Sequence, residues 1–281
     1  MAFSFFNKEK QVVERYTKAS ERGDAGAQYN LGVRYANGYG VEKDQKKAVY
    51  WINKAAEQGN ADAQSNLGVC YAMGEGVEKD QIKAVYWYTK AAEQGNPSAQ
   101  SYLGWCYRYG NGVIKDQKKA VYWLNKAAEQ GDADAQNNLG VCYRHGNGVE
   151  KDLIKAVYWY TKAAEQENAR GQNNLGWCYE NGLGVEKDQT KAVYWYTKAA
   201  QQGNFLAQHN LRVRDTSSDV VEKDQIQSAE WDIKAAEKGG AKAQKTLLVR
   251  DVNSEVVEQD MNKATEGFMK VSEQGDIFVH L

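Results

Sequence analysis

Apolar side chains fall at Ala63, Leu67 and Tyr71, four residues apart, which marks one face of a helix. After a glycine-bearing break a second run places Ala84, Trp87, Tyr88, Ala91 and Ala92 on one expected buried stripe. The pair of patterns returns every 36 residues. Leu31, Leu67, Leu103, Leu139, Leu175, Leu211 and Leu247 keep one register, and Trp51, Trp87, Trp123, Trp159, Trp195 and Trp231 keep another. Asn60 is placed to cap the first helix of its unit. An aspartate stands before the second helix in all seven units, at Asp44, Asp80, Asp116, Asp152, Asp188, Asp224 and Asp260, where its carboxylate can accept from first-turn amides. Gly74 and Gly76 supply the backbone freedom of a left-handed cap and tight joint. Gly68 lies inside the first helix, where glycine costs about 1 kcal/mol relative to alanine, so a close approach by the partner helix is expected there.

Each unit therefore predicts two antiparallel helices of about 14 residues. A period of this size means units too small to bury their own apolar faces, completed by their neighbours. The expected fold is all-α, a solenoid of seven 36-residue helix-turn-helix repeats running from Asp24 to Gly275. Residues 1–23 form the expected N-terminal capping helix, with Asn7 to Gly23 matching a second helix that stands alone and Arg15 at the tryptophan place. Residues 24–203 hold five regular repeats, and residues 204–281 two degenerate repeats with a C-terminal cap. In that last region Arg212 and Leu248 stand at the Gly32 place, Asp215 and Asp251 at the Tyr35 place, Ser218 and Ser254 at the Gly38 place, and Val220 and Val256 at the Gly40 place. A buried charge is costly. The first helix of repeat six is accordingly expected to be shortened or turned outward, with 215–221 the least regular stretch.

One proline in 281 residues suits a helical chain, and 26 glycines suit its joints. A net charge of −1, from 36 basic and 37 acidic side chains, gives no electrostatic reason to expect nucleic acid. The start MAFSFFNKEK lacks the basic flank and apolar length of a secretory signal, and no later stretch is long enough to insert into a membrane. Cys70, Cys106, Cys142 and Cys178 hold one place in four repeats. Stacked helices lie about 10 Å apart, and a disulfide needs Cα atoms within about 7 Å, so these cysteines are expected to be unpaired packing residues. Unpaired thiols without a signal point to a reducing, cytoplasmic setting. A monomer is expected.

Signals of chemistry are few. Gly38-Tyr39-Gly40 resembles a phosphate loop, but the pattern recurs and follows no strand, so it is a helix joint. Cys142 and His145 stand at i, i+3 and could share a metal, but no further two ligands accompany them, against a four-ligand norm. No nucleophile–base set is visible, and no cofactor or catalytic residue is expected.

The pattern AQSNLGVCYAMGEGVEKDQIKAVYWYTKAAEQG, from Ala63 to Gly95, resembles the Sel1-like repeat family, a relative of the tetratricopeptide repeat. The resemblance covers nearly the whole chain and is strongest from Asp24 to Gly203. It implies a right-handed α-solenoid whose first helices line a concave face, and adaptor or scaffold work on other proteins or peptides. One branch of that family is secreted and disulfide-stapled, with two cysteines per repeat eight apart. The matching places here are Ala56 and Gln64, Ala92 and Gln100, and Ala128 and Gln136, so the staple is absent.

Near-identical repeats can be compared with one another. Constant places carry packing, and specificity is expected where repeats differ. In the first helices the variable places hold Val33, Val69, Trp105, Val141 and Trp177; Ala36, Ala72, Arg108, Arg144 and Glu180; Asn37, Met73, Tyr109, His145 and Asn181; and Tyr29, Ser65, Ser101, Asn137 and Asn173. They lie off the expected buried stripe, and likeness to tetratricopeptide proteins turns them toward the groove. Aromatic and arginine side chains dominate binding hot spots. That singles out Trp105, Arg108, Tyr109, Arg144, His145 and Trp177, the alternative being drift and packing on the next repeat. A further place holds Asn30, Asn66, Asn138, Asn174 and Asn210, with Tyr102 in the third unit. It matches a place where tetratricopeptide clamps grip a peptide backbone through an amide. The alternative is a ladder that satisfies loop backbone between repeats. Tyr50, Tyr86, Tyr122, Tyr158 and Tyr194 repeat on the second helices. Packing between units is the simpler reading, and a stacking surface for a glycan or cell-wall ligand is the alternative function.

Overall fold

The structure, a computed structural model, describes residues 2–215, with side chains over 9–212. Twelve helices and no strand occur among the described residues. They are α1 (Ala2–Glu21), α2 (Ala25–Asn37), α3 (Gln45–Glu57), α4 (Ala61–Met73), α5 (Gln81–Glu93), α6 (Pro97–Tyr109), α7 (Gln117–Glu129), α8 (Ala133–His145), α9 (Leu153–Glu165), α10 (Ala169–Asn181), α11 (Gln189–Gln201) and α12 (Phe205–Asp215). From α2 to α11 each helix has 13 residues, one turn fraction short of the sequence expectation. The lone first helix begins earlier than Asn7, at Ala2. The chain divides into two compact units, Met1–Ala156 and Val157–Leu281.

Local chemistry sets the helix ends. Asn60 Oδ1 accepts from Ala63 N at 2.8 Å, and Asp80 Oδ1 accepts from Ile82 N and Lys83 N at 3.0 Å. Backbone hydrogen bonds from the first turn hold the Asp44, Asp80, Asp152 and Asp188 carboxyls below the usual range. The lysine three residues on reaches back to the same carboxylate, at 3.4 Å in Asp80–Lys83. That lysine also sits 5.3 Å from the ring of Tyr71 on the preceding helix.

In the first unit the cores straddle the repeats. Ala84, Val85, Tyr88, Ala91 and Ala92 of α5 close on Ala99, Leu103 and Cys106 of α6. Val49, Ile52, Ala55 and Ala56 of α3 close likewise on Ala63, Leu67 and Cys70 of α4. No repeat owns its core, the condition that makes a solenoid cooperative. Inside one repeat the two helices meet at a glycine. A Cβ on Gly104 would stand 2.7 Å from Leu124 Cγ and 3.2 Å from Ala120 O, so α6 and α7 touch where only glycine fits. In the second unit Ala192, Tyr196, Ala199 and Ala200 of α11 pack with Ala207 of α12.

The buried sector is wider than a single stripe, and several expectations change accordingly. Trp87 is half-buried and lies over the α3–α4 core, while Val85 takes the inner place. Tyr71 is half-buried, and Cys70 and Gly68 go inside instead. Ser65, Ser101, Asn137 and Asn173, read as variable groove positions, are buried. A helix pressed from two sides, by its own partner and by the adjoining repeat, hides about half its circumference rather than the narrower stripe of a surface helix. In the tyrosine row, Tyr50, Tyr86 and Tyr122 are about half exposed. Each stands edge-on to the tryptophan beside it, with centroids 5.0 Å apart.

A buried glutamine ties the repeats together. Gln64 Nε2 donates to Ala56 O at 3.0 Å, and Gln64 Oε1 accepts from Gln94 Nε2 at 2.7 Å. Gln100 does the same with Ala92 O and Gln130, at 3.0 and 2.8 Å. These bonds join the very places, Ala56 with Gln64 and Ala92 with Gln100, that carry the disulfide in the stapled branch. Replacing Gln100 by leucine removes both bonds, leaving Ala92 O its backbone donor Gly95 N and the Gln130 amide its bond to Lys126 O, at a cost of about 0.5–1.5 kcal/mol. A lowered urea midpoint with unchanged m-value is the expected result, and an unchanged midpoint would show the pairing to be idle.

The four cysteines are buried, and none is in a disulfide. Burial pushes the thiols of Cys70 and Cys106 up to about 11, which keeps them unreactive. Of the C-terminal expectations, 216–221 and repeat seven lie outside the described residues, and the described part of α12 ends at Asp215. Within it Arg212 is half-buried, with its guanidinium 3.2 Å from His209 Nδ1.

Candidate functional site

Eight of the ten sequence-derived site residues belong to the first unit. Trp105, Arg108 and Tyr109 share the last turns of α6, at i, i+3 and i+4, so they project on one side of it. Trp105 and Tyr109 are 43% and 54% exposed, with ring centroids 5.1 Å apart and planes tilted by 50°. The Arg108 guanidinium carbon lies 5.2 Å from the centre of the Tyr109 ring. Its Nη1 points across to the neighbouring repeat, 3.4 Å from Asn138 Oδ1 on α8. Arg108 is half-buried, so the ring and the amide fix a charged group that retains open surface.

Arg144 and His145 end α8. Partial burial, then Arg144, Arg108 and Lys151, push the His145 imidazole below its ordinary value. Three cations thus act together at this end of the first helices. Lys151 was not singled out from sequence because it belongs to a repeated joint motif, and comparison among repeats finds only what varies. Tyr102, on α6, is 43% exposed and stacks on Tyr88 at 5.1 Å. Burial, then Asp132 and Asp134, raise its phenol above the ordinary value. The first-helix face therefore carries carboxylates near the helix starts and cations near the helix ends.

The asparagine place bonds to neighbouring side chains or to its own helix in the three cases seen. Asn66 Nδ2 donates to Tyr29 Oη on the preceding first helix at 3.1 Å, and Asn138 accepts from Arg108. Asn30 instead donates to Gly26 O in its own helix at 2.9 Å. None of these three bonds serves loop backbone.

The second unit holds the other two residues. Asn174 and Trp177 are half-buried on α10, and Trp177 packs against the α11–α12 core. The structure therefore brings Trp105, Arg108, Tyr109 and Asn138 together, with Arg144 and His145 electrostatically linked to them. It places Trp177 with packing residues of its own unit. Among the described residues no group of three or more potential ligands could hold a metal, and no helix is long and apolar enough to cross a membrane.

The repeated fold built around these residues defines an α-solenoid of helix pairs. The chain belongs to the Sel1 repeat family, whose pattern matches residues 25–60, 61–96, 97–132, 133–168, 169–204 and 215–240. Six segments match rather than the seven expected, and the last is partial. A Sel1 repeat protein from Oxalobacter formigenes is similar at 37% identity, over 80% of this chain and 90% of that one, with a TM-score of 0.75. A protective antigen of uropathogenic Escherichia coli strains, displaying an SLR fold, is similar at 34% identity, over 94% of this chain and 64% of that one, with a TM-score of 0.57. No curated protein matches the chain. Sel1 repeat proteins are generally scaffolds for protein interaction.

Proposed function

We propose that the chain is a non-enzymatic scaffold that holds a partner protein or peptide on the first-helix face of its first unit, centred on Trp105, Arg108 and Tyr109. The observation that carries this reading is the half-exposed aromatic pair with a guanidinium oriented beside it. Aromatic anchors next to arginine are what concentrate binding energy in protein interfaces, and two-χ rings lose little entropy when fixed. Tyr102, Asn66 and Asn138 extend the face over three repeats, long enough for an extended segment.

Changing Trp105 and Arg108 together to alanine is expected to abolish capture of the partner from the native cell while circular dichroism keeps its helical signal. Capture that survives the double change sinks the assignment. The glycan reading has the half-exposed tyrosines in its favour. Against it, lysine ammonium groups already lie over these rings, Lys54 at 4.9 Å from Tyr50 and Lys126 at 4.8 Å from Tyr122, which takes one stacking face of each.

A further inference from the structure

The third repeat departs from its neighbours in charge as well as in aromatic content. Its joint reads Gly110-Asn111-Gly112-Val113-Ile114-Lys115-Asp116, where the second repeat reads Gly74-Glu75-Gly76-Val77-Glu78-Lys79-Asp80. The carboxylate that the other regular joints carry at Glu42, Glu78, Glu150 and Glu186 is thus replaced by Ile114, which is 91% exposed, and Glu75 of the second repeat has Asn111 as its counterpart. The fourth repeat also carries Asn147 at the Glu75 place. Over the same stretch the alanine that stands at Ala36 and Ala72 becomes Arg108 and Arg144. The third repeat thus loses one joint carboxylate and gains an arginine, and the fourth gains an arginine.

Arg108 is not serving its own helix end. The last turn of α4 holds no basic residue and closes on Gly74 in the same way that α6 closes on Gly110, so the macrodipole does not require one. Nor does the guanidinium reach an acid. Arg34 pairs with Glu9 on α1, whereas the partners of Arg108 are a neutral amide at 3.4 Å and a ring face. A half-buried guanidinium with only these neighbours keeps the two-pronged donor edge that fits a carboxylate. Burial first, and then the charges of Arg144, Arg108 and Lys151, hold the His145 imidazole below its ordinary value.

Resting on the scaffold reading above, we infer that the partner segment is acidic: an extended stretch in which glutamate or aspartate side chains alternate with an aromatic residue. One carboxylate meets Arg108 and the Arg144–His145–Lys151 end of the face, while the aromatic ring stacks on Trp105 and Tyr109.

The test is fluorescence anisotropy on the full chain with a labelled peptide of alternating glutamate and phenylalanine, its C-terminus amidated. Saturable binding is expected, weakening as salt rises. It is expected to fall at least tenfold when glutamine replaces glutamate in the peptide or when the protein carries Arg108→Gln. Arg108→Lys is expected to recover part of the loss, and circular dichroism confirms that both variants are folded. Equal binding of the glutamine peptide, indifference to Arg108→Gln, dependence on a free C-terminal carboxylate, or stronger binding of a phosphopeptide or single-stranded RNA would each overturn the inference. The scaffold reading fails separately, through undiminished partner capture by the Trp105 and Arg108 double variant.

Discussion

Leu103→Ala is expected to lower stability by about 2–5 kcal/mol, because it removes three carbon atoms from a site that cannot collapse around the gap. Leu103 is 1% exposed and sits where α6 meets the α5 core of the repeat before. Its environment is therefore shared between two units. The loss propagates, since a weakened border uncouples repeats that are stable only together. Equilibrium urea unfolding is the measurement. The expected outcome is a lower midpoint, and loss of a single cooperative transition where the neighbours can no longer hold the unit. A variant that unfolds like the parent protein would mean that the border between repeats carries little of the stability.

Gly148→Ala is expected to cost about as much, some 2–5 kcal/mol, although it adds only one carbon. Gly148 has φ +76, a left-handed conformation that costs an alanine about 1–2 kcal/mol. Its Cβ would also drive into the carbonyl of Gln117, at the start of α7 in the preceding repeat. Backbone atoms cannot swing aside, so the joint must open, and overpacking adds about 1–3 kcal/mol. Gly76 meets Gln45, and Gly112 meets Gln81, in the same way. The contrast is Gly131, with φ +94 and nothing within 4 Å of an added Cβ, where alanine carries the conformational penalty alone. Thermal unfolding of the two variants separates the terms. Equal losses at Gly148 and Gly131 would show that the contact with Gln117 is negligible.

The second joint glycine is an inter-repeat contact, and Val220 and Val256 occupy its place in repeats six and seven. The family pattern fails to match residues 205–214 and resumes at 215.

The sequence by itself determined the period, the helix pairs, the caps and the existence of a tight place at Gly68 and its equivalents. These are local or periodic properties. A cap needs an acceptor a few residues from an amide, and a helix face needs only the right spacing. What the tertiary structure decided is how much of each helix is hidden. Ser65 and Asn137 are polar and variable, and sequence spacing leaves them outside the leucine stripe, yet the adjoining repeat covers them. The half-exposed tyrosines could not be told from packing residues, because a second helix shows its register in sequence but not which sector a neighbour covers. The glutamine ladder was equally hidden. Gln64 is a polar residue at a place noted only for a missing cysteine, and its partners, Ala56 O and Gln94, become neighbours only once two repeats stack. At the candidate site, residue type and variation among repeats singled out Trp105, Arg108 and Tyr109, and their i, i+3 and i+4 spacing puts them on one side of a helix. That Arg108 reaches Asn138, thirty residues away, rather than an acid of its own, depends on the stacking of one repeat on the next.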